Sequence, residues 1–106
     1  MIKNSQERPA QPDAPTVARR IFVEGKVQGV FFREWTIGRA REMDISGWVR
    51  NLADGLVEVY AIGEANALDA FIDQLRVGSP ASQVKQVRSE CADIEKIDGF
   101  NRRQTL

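Results

Sequence analysis

The sequence predicts an α+β fold whose strands and helices follow one another in the order βαββαβ. Short β-prone segments alternate with two segments of helical periodicity. An Asp54-Gly55 pair lies between two of the β-prone segments and is typical of a hairpin turn. A chain of 106 residues, 42% of them hydrophobic, supplies one packed core and not two. We therefore expect a single domain over residues 18–106.

Residues 1–17 differ in composition from the rest of the chain. Three prolines, Pro9, Pro12 and Pro15, lie there among polar residues. Such a segment has too little apolar surface to offset the entropy lost on ordering it. We predict a disordered N-terminal tail over residues 1–17.

The first half of the domain predicts a strand followed by a helix. From Arg19 the β-prone residues 21–23 indicate the strand, and Gly25 ends it. Residues at three- and four-residue spacing then share one face, which predicts a helix over about 32–43. The residues on that face are Phe32, Thr36, Ala40 and Met43.

The second half predicts a hairpin, a helix and two further strands. The β-rich segments 45–51 and 56–62 flank Asp54-Gly55, whose turn requires positive backbone dihedral angles, so they are antiparallel neighbours. A second helix is expected over 65–76, ended by Gly78 and Pro80. Strands are expected at 84–91, where Val84 and Val87 are out of phase, and at 100–103. The second helix has an apolar stripe formed by Leu68, Phe71, Ile72 and Leu75.

This order places two helices on one face of a four-stranded antiparallel sheet, with room for a short fifth strand. The final strand is expected at an edge or beside the first strand. The arrangement is the ferredoxin-like split βαβ sandwich. Because the same fold carries RNA binders, metal carriers and regulatory domains, function has to be inferred from the site residues.

The charge balance and hydropathy exclude several classes of partner. Fifteen Lys and Arg residues balance fifteen Asp and Glu residues, so no overall positive field attracts nucleic acid or an anionic membrane. The chain also lacks an apolar run near the ~20 residues of a membrane span and lacks the pattern of a secretory signal. We expect a soluble cytoplasmic protein.

The absence of histidine limits the chemistry. With no histidine and only one cysteine, Cys91, the usual zinc ligand sets and an internal disulfide cannot form. The Ser-His and Cys-His nucleophile pairs are also excluded. We expect no metal and no cofactor, and an inert Cys91. Any chemistry then depends on positioning and electrostatics.

The segment from Glu24 to Arg33 joins the first strand to the first helix and is the first candidate site. Glycines at 25 and 29 and an arginine at the helix start are typical of an anion site. Backbone N–H groups, the helix dipole and a planar guanidinium can all act on a phosphate there. The glycine spacing alone favours an ordinary strand-to-helix turn with a surface arginine, because such short motifs match often.

Asn51 is the second candidate, because it ends the strand that contains Trp48 and Val49. The end of that strand can approach the loop after the first strand, where the amide could face a bound phosphate. Asparagine at such a position also commonly serves only to bond the backbone of a turn.

Two motifs taken together resemble the acylphosphatase family over residues 19–103. They are Gly25-x-Val27-Gln28-Gly29-Val30-x-Phe32-Arg33 with Thr36, and Gly47-Trp48-Val49-x-Asn51-x-x-Asp54-Gly55-x-Val57-Glu58. The resemblance implies a ferredoxin-like fold and metal-free hydrolysis of acyl phosphates, with inorganic phosphate as product and inhibitor. It assigns phosphate binding to Arg33 and water orientation to Asn51. It implies a phosphate loop that acts through the backbone amides of Lys26, Val27, Gln28, Gly29 and Val30.

Some residues of the two motifs and of the last strand have no chemical role in this prediction. Glu34 departs from the bulky apolar residue common in the family, and we expect its carboxylate to point out to solvent. Arg102 and Arg103 are expected to be solvated, and Glu58 to be structural. The last strand matches the family only loosely.

The chemistry of the substrate fits this set of residues. A carboxyl phosphate releases a carboxylate, whose conjugate acid has a pKa of about 4, so no proton donor is required. The remaining tasks are to hold the phosphoryl oxygens and to aim a water in line. We expect a monomer that acts by direct attack of water, without a covalent intermediate.

Two other functions remain open. One is a non-catalytic binding or regulatory module, like the acylphosphatase-like domain at the start of hydrogenase-maturation proteins, although the shortness of the chain argues against it. The other is an RNA-binding domain of the same layer order. Such a domain needs exposed aromatic and basic residues on its sheet, and the first strand offers Phe22 alone.

Overall fold

The computed structural model describes residues 15–106, which form a sheet and two helices. The predicted order βαββαβ is confirmed, and a short fifth strand follows it. The elements are β1 Thr16–Lys26, α1 Phe32–Glu42, β2 Ser46–Asn51, β3 Val57–Glu64, α2 Ala65–Val77, β4 Gln83–Ala92 and β5 Phe100–Arg102.

The five strands form one sheet in the order β4-β1-β3-β2-β5. The first four pair antiparallel, as predicted, and β4 lies at an edge beside β1. The fifth strand pairs in parallel with β2, so that Val49 lies opposite Arg102. β5 is therefore the edge strand next to β2, and the two strands end on the same side of the sheet.

Both helices pack on one face of the sheet, which confirms the ferredoxin-like sandwich. Residues alternate across β3: Val59 and Ala61 face the helices, and Tyr60 and Ile62 belong to a second cluster with Trp48 on the opposite face. The apolar stripe predicted for the second helix is buried in the main core. No helix within residues 15–106 is long and apolar enough to cross a membrane.

The first strand is longer than its hydrophobic run predicts. It begins at Thr16, which pairs with Glu64, and Val17 packs against the core. The reason is pairing with β3, which lies opposite Thr16 and Val17 and extends β1 beyond the β-prone residues 21–23. Two residues of the expected 1–17 tail thus belong to the domain, and residues 1–14 lie outside the described residues.

A β-bulge explains why Val84 and Val87 are out of phase. Glu24 lies opposite Gln86, but Gly25 lies opposite Val84, so Lys85 is an extra residue in β4. One inserted residue reverses the alternation of faces along a strand. Both valines can therefore pack against the main core.

The connection between β4 and β5 crosses the outer face of the sheet, because these strands lie at opposite edges. The hydroxyl of Tyr60 donates to the carbonyl of Asp93 and accepts from the backbone N–H of Glu95 at 2.8 Å. Ile97 packs against the cluster of Trp48 and Tyr60. This crossing covers the outer face and delivers β5 to the edge at β2.

Candidate active site

The loop between β1 and α1, residues 27–31, has an alternating backbone conformation. Gly29 has a φ of 74° and Phe31 a φ of 60°, whereas Val30 between them is not left-handed. When left-handed residues alternate with a residue of negative φ, successive backbone N–H groups point toward one concave side. Such a concavity can bind an anion. A glycine suits position 29, because a side chain there would be strained and Gly29 also lines the cavity described below.

The start of α1 adds further donors. Phe31 stands at the N-cap and provides no side-chain cap, and the N–H of Trp35 makes a helical bond to the carbonyl of Phe31 at 3.1 Å. The N–H groups of the preceding turn have no helical partner, and the helix dipole is positive there. A phosphate at this point would meet both the loop donors and the helix terminus.

Arg33 lies in the first turn of α1 and is half-buried. It helps to line a cavity of about 250 Å³, together with Val27, Gly29, Phe31, Phe32, Glu34 and Arg102. The ion pairs formed among residues 15–106 do not include Arg33. Its guanidinium is therefore available to an anion in this cavity.

Asn51 ends β2 close to the same end of the sheet. Val57 on the central strand pairs with Asn51 on one side and with Val23 on the other. Since neighbouring strands lie about 4.8 Å apart, Asn51 and Val23 are about 10 Å apart across β3. Asn51 is 9% exposed, and within the described part of the chain its Oδ1 is buried with no hydrogen-bond partner. The amide therefore keeps an unused acceptor.

The C-terminal segment, residues 103–106, bonds to the end of β2 on the side away from β3. The N–H of Leu106 donates to the carbonyl of Asn51 at 3.1 Å, and the N–H of Ala53 donates to the carbonyl of Leu106 at 2.9 Å. Arg103 N–H donates to the carbonyl of Val49 at 2.9 Å. The end of β2 is therefore bonded to β3 and to the C-terminal segment.

A side-chain bridge joins the β1–α1 loop to the hairpin after Asn51. Nε2 of Gln28 donates to the carbonyl oxygens of Leu52 and Leu56, both at 2.9 Å. The hairpin itself is closed by the predicted turn, in which Gly55 has a φ of 96° and Asp54 Oδ1 accepts from the N–H of Leu56. Sequence reasoning used only the backbone amide of Gln28, because nothing local indicates the partner of its side chain.

The structure brings some of the predicted site residues together and separates others. Val27, Gly29 and Arg33 line one cavity, and Gln28 ties their loop to the hairpin. Lys26 and Val30 do not line this cavity; Lys26 ends β1 and is exposed, and Val30 packs against the core. Asn51 does not line this cavity either, although Gln28 of the loop bonds the carbonyl of Leu52, the residue that follows Asn51.

Glu34 and Arg102 are both exposed, as expected, but they are not simply solvated, because they form an ion pair. Oε2 of Glu34 lies 2.8 Å from Nη1 of Arg102, each side chain is 53% exposed, and both residues line the cavity. The reason is tertiary: β5 packs beside α1, where Arg41 donates to the carbonyl of Phe100 at 3.2 Å from Nε and 2.9 Å from Nη2. The last strand thereby brings a cation to the first turn of the helix.

Glu58 forms ion pairs with two arginines of neighbouring strands, consistent with the prediction that it is structural. Its two carboxylate oxygens lie 2.6 Å from Arg20 and 2.7 Å from Arg50, and its side chain is 6% exposed. Arg20 and Arg50 also lie over the ring of Trp48, on the face of the sheet away from the helices. The ion pairs therefore join β1, β2 and β3 on that outer face.

The fold and the cavity define a class: a ferredoxin-like α+β domain with a glycine-containing loop and an arginine at the start of its first helix, both lining one cavity. The family model for acylphosphatase matches residues 19–102. An acylphosphatase from Rhizorhabdus wittichii is 47% identical over 90 residues, which cover 85% of this chain and 91% of that protein. The chain belongs to the acylphosphatase family and is a hydrolase that acts on acyl phosphates.

Solved structures agree with this assignment. An acylphosphatase from Coxiella burnetii superposes with a TM-score of 0.82 at 36% identity, covering 90% of this chain and all of that one. Full-length HypF, in a phosphate- and nucleotide-bound form, matches with a TM-score of 0.79 at 26% identity. The match covers 86% of this chain but 12% of HypF. The fold thus also occurs as part of a much larger protein.

Proposed function

We propose that Arg33 and the cavity-lining backbone amides of the β1–α1 loop bind the phosphoryl group, and that Asn51 orients the attacking water. The observation that carries this proposal is the convergence of the left-handed Gly29 and Phe31, the start of α1 and the guanidinium of Arg33 on one cavity. Among residues 15–106 that guanidinium forms no ion pair. The backbone N–H groups of the loop and helix start and the guanidinium of Arg33 are all hydrogen-bond donors. Such donors stabilise the negative charge of a phosphoryl group.

Hydrolysis then needs no proton donor. Water attacks phosphorus in line, the bond between phosphorus and the acyl oxygen breaks, and the carboxylate leaves as an anion. Its conjugate acid has a pKa of about 4, so it departs unprotonated at neutral pH. The proton of the water passes to a phosphate oxygen, and the products are a carboxylate and dihydrogen phosphate.

The role of Asn51 follows from its fixed backbone and its free acceptor. The residue lies opposite Val57 of β3, and its carbonyl accepts from the N–H of Leu106 on the other side, which limits its movement. The buried Oδ1 lacks a partner among residues 15–106, and an oxygen that accepts from water would satisfy it. Positioning of this kind lowers the barrier because the water is already aligned for attack.

The test compares Arg33→Lys and Arg33→Ala with Arg39→Lys as the matched control. Arg39 lies on the same helix but forms an ion pair with Glu42. Lysine keeps the charge but loses the planar fork, so we expect both Arg33 variants to lose at least about a hundredfold in kcat/KM for acetyl phosphate. The Arg39 control should match the wild type. A fully active Arg33→Lys variant would exclude the bidentate contact.

We also propose that inorganic phosphate, as product, binds the same cavity and inhibits competitively. Arg33→Ala should therefore abolish inhibition by phosphate together with turnover, while circular dichroism shows an intact fold. Inhibition that persists in Arg33→Ala would place the phosphate site elsewhere.

We further propose a cytoplasmic monomer whose working domain begins at Thr16. The exposed thiol of Cys91 suits a reducing compartment. Light scattering at assay concentration should give the mass of one chain. Removal of residues 1–14 should leave kcat and the melting temperature unchanged, because β1 begins at Thr16. A large change in either quantity would show that the removed residues contribute to the domain.

A further inference from the structure

The cavity contains one carboxylate, and a second arginine faces it. Glu34 directly follows Arg33 and lines the same cavity. A carboxylate at this place opposes the binding of any phosphate, because like charges repel across a few ångströms. Yet Nη1 of Arg102 lies 2.8 Å from Oε2 of Glu34, which is a charge-assisted hydrogen bond.

The position of Arg102 is set by the strand that carries it. Arg102 lies opposite Val49 in the parallel pairing of β5 with β2. On its other side β5 is bonded to α1, where Arg41 holds the carbonyl of Phe100. Since β5 is bonded on both sides, Arg102 has a defined place at the mouth of the cavity.

We propose that Arg102 is an affinity-determining residue that neutralises Glu34 at the mouth of the cavity. This proposal rests on the proposed phosphate site. In the ion pair the two charges cancel, and Arg33 alone sets the sign of the field that an incoming acyl phosphate meets. Arg102 acts through Glu34 and takes no part in bond cleavage, so its loss should raise KM and leave kcat unchanged.

The test is a double-mutant cycle of Arg102→Ala and Glu34→Gln, measured with acetyl phosphate at about 0.01 M ionic strength, where the Debye length is about 30 Å. Arg102→Ala exposes a carboxylate to a doubly charged phosphate, so we expect KM to rise about tenfold. Glu34→Gln alone should not raise KM. The double variant should return KM to within about twofold of the wild type, because removing both charges of the ion pair leaves the net charge of the cavity unchanged.

Arg88→Ala is the matched control, since Arg88 and Glu90 form an ion pair of similar exposure on β4, away from the cavity. Its KM should not change. Salt is an independent readout: at about 1 M ionic strength the Debye length falls to about 3 Å, and the effect of Arg102→Ala should largely disappear. A purely structural role for Arg102 would not depend on salt in this way.

Isothermal calorimetry can measure how tightly the four proteins of the cycle bind inorganic phosphate. These are the wild type, Arg102→Ala, Glu34→Gln and the double variant. This measurement reports the charge effect without turnover. We expect the affinity for phosphate to fall about tenfold in Arg102→Ala and to recover in the double variant. If the double variant binds as weakly as Arg102→Ala, Arg102 contacts the phosphate itself and the proposal is wrong. It is also wrong if Arg102→Ala binds like the wild type. A wild type that binds phosphate but hydrolyses no acyl phosphate would instead contradict the proposed mechanism.

Discussion

The bridge made by Gln28 should be necessary for both stability and catalysis. In Gln28→Met the side chain keeps its length but loses the donor that bonds the carbonyls of Leu52 and Leu56. Each such bond contributes a net ~1 kcal/mol. Leu52 O still accepts from Gly55 N–H, and Leu56 O still accepts from Leu52 N–H. Because neither carbonyl is left without a partner, we expect a loss of about 2 kcal/mol in the free energy of unfolding.

For a domain of this size, that loss corresponds to a decrease of about 8 to 16 °C in melting temperature. Turnover should fall as well, because Gln28 ties the proposed phosphate loop to the hairpin that follows Asn51, and small displacements of positioned groups are costly. We expect kcat to drop at least about tenfold at a temperature where the variant is folded.

The matched control is Gln74→Met, which removes a half-buried amide whose described contact is a weak one to Met43 Sδ at 3.7 Å. Thermal unfolding followed by circular dichroism and acetyl phosphate hydrolysis are the two measurements. Wild-type melting temperature and wild-type kcat in Gln28→Met would refute the idea that this bridge holds the two parts of the site together. A lower melting temperature with normal kcat would limit Gln28 to a structural role.

Three further outcomes are expected. Asn51→Asp should lower kcat by at least about a hundredfold and bind phosphate less tightly than Asn51→Ala, because it adds a negative charge beside the phosphate; near-normal turnover in Asn51→Asp would remove Asn51 from the mechanism. Glu58→Gln should cost about 2 kcal/mol of stability, seen as a lower urea midpoint, because its carboxylate bonds two arginines at low exposure. Its kcat should change far less than that of the Asn51 variants, whereas an equal loss would give Glu58 a part in catalysis. Finally, hydrolysis should survive exhaustive treatment with a chelator, since the chain has no histidine, and activity that is lost and then restored by added Mg²⁺ or Zn²⁺ would overturn a metal-free mechanism.

Much of the fold was predictable from local patterns, for a physical reason. Both helices bury one stripe, and such burial produces a helical periodicity that a sequence displays directly. The strands were predictable as short β-prone segments bounded by turn residues. The turn at Asp54-Gly55 was predictable because few residues accept the positive φ of 96° that Gly55 adopts. Features that depend on partner strands were not predicted: the start of β1 at Thr16 and the bulge at Lys85.

The sequence by itself determined the family and indicated the residues of the proposed site, because Arg33, Asn51 and the glycines of the loop occur in motifs of fixed spacing. Only the tertiary structure decided which groups face one another. Gln28 reaches Leu52 across 24 positions of the chain, and Arg102 reaches Glu34 from the opposite end of the domain. Long polar side chains on a surface have no periodic pattern, so their partners depend on how the strands are ordered in the sheet. The parallel pairing of β5 with β2 is what brings Arg102 to the mouth of the cavity.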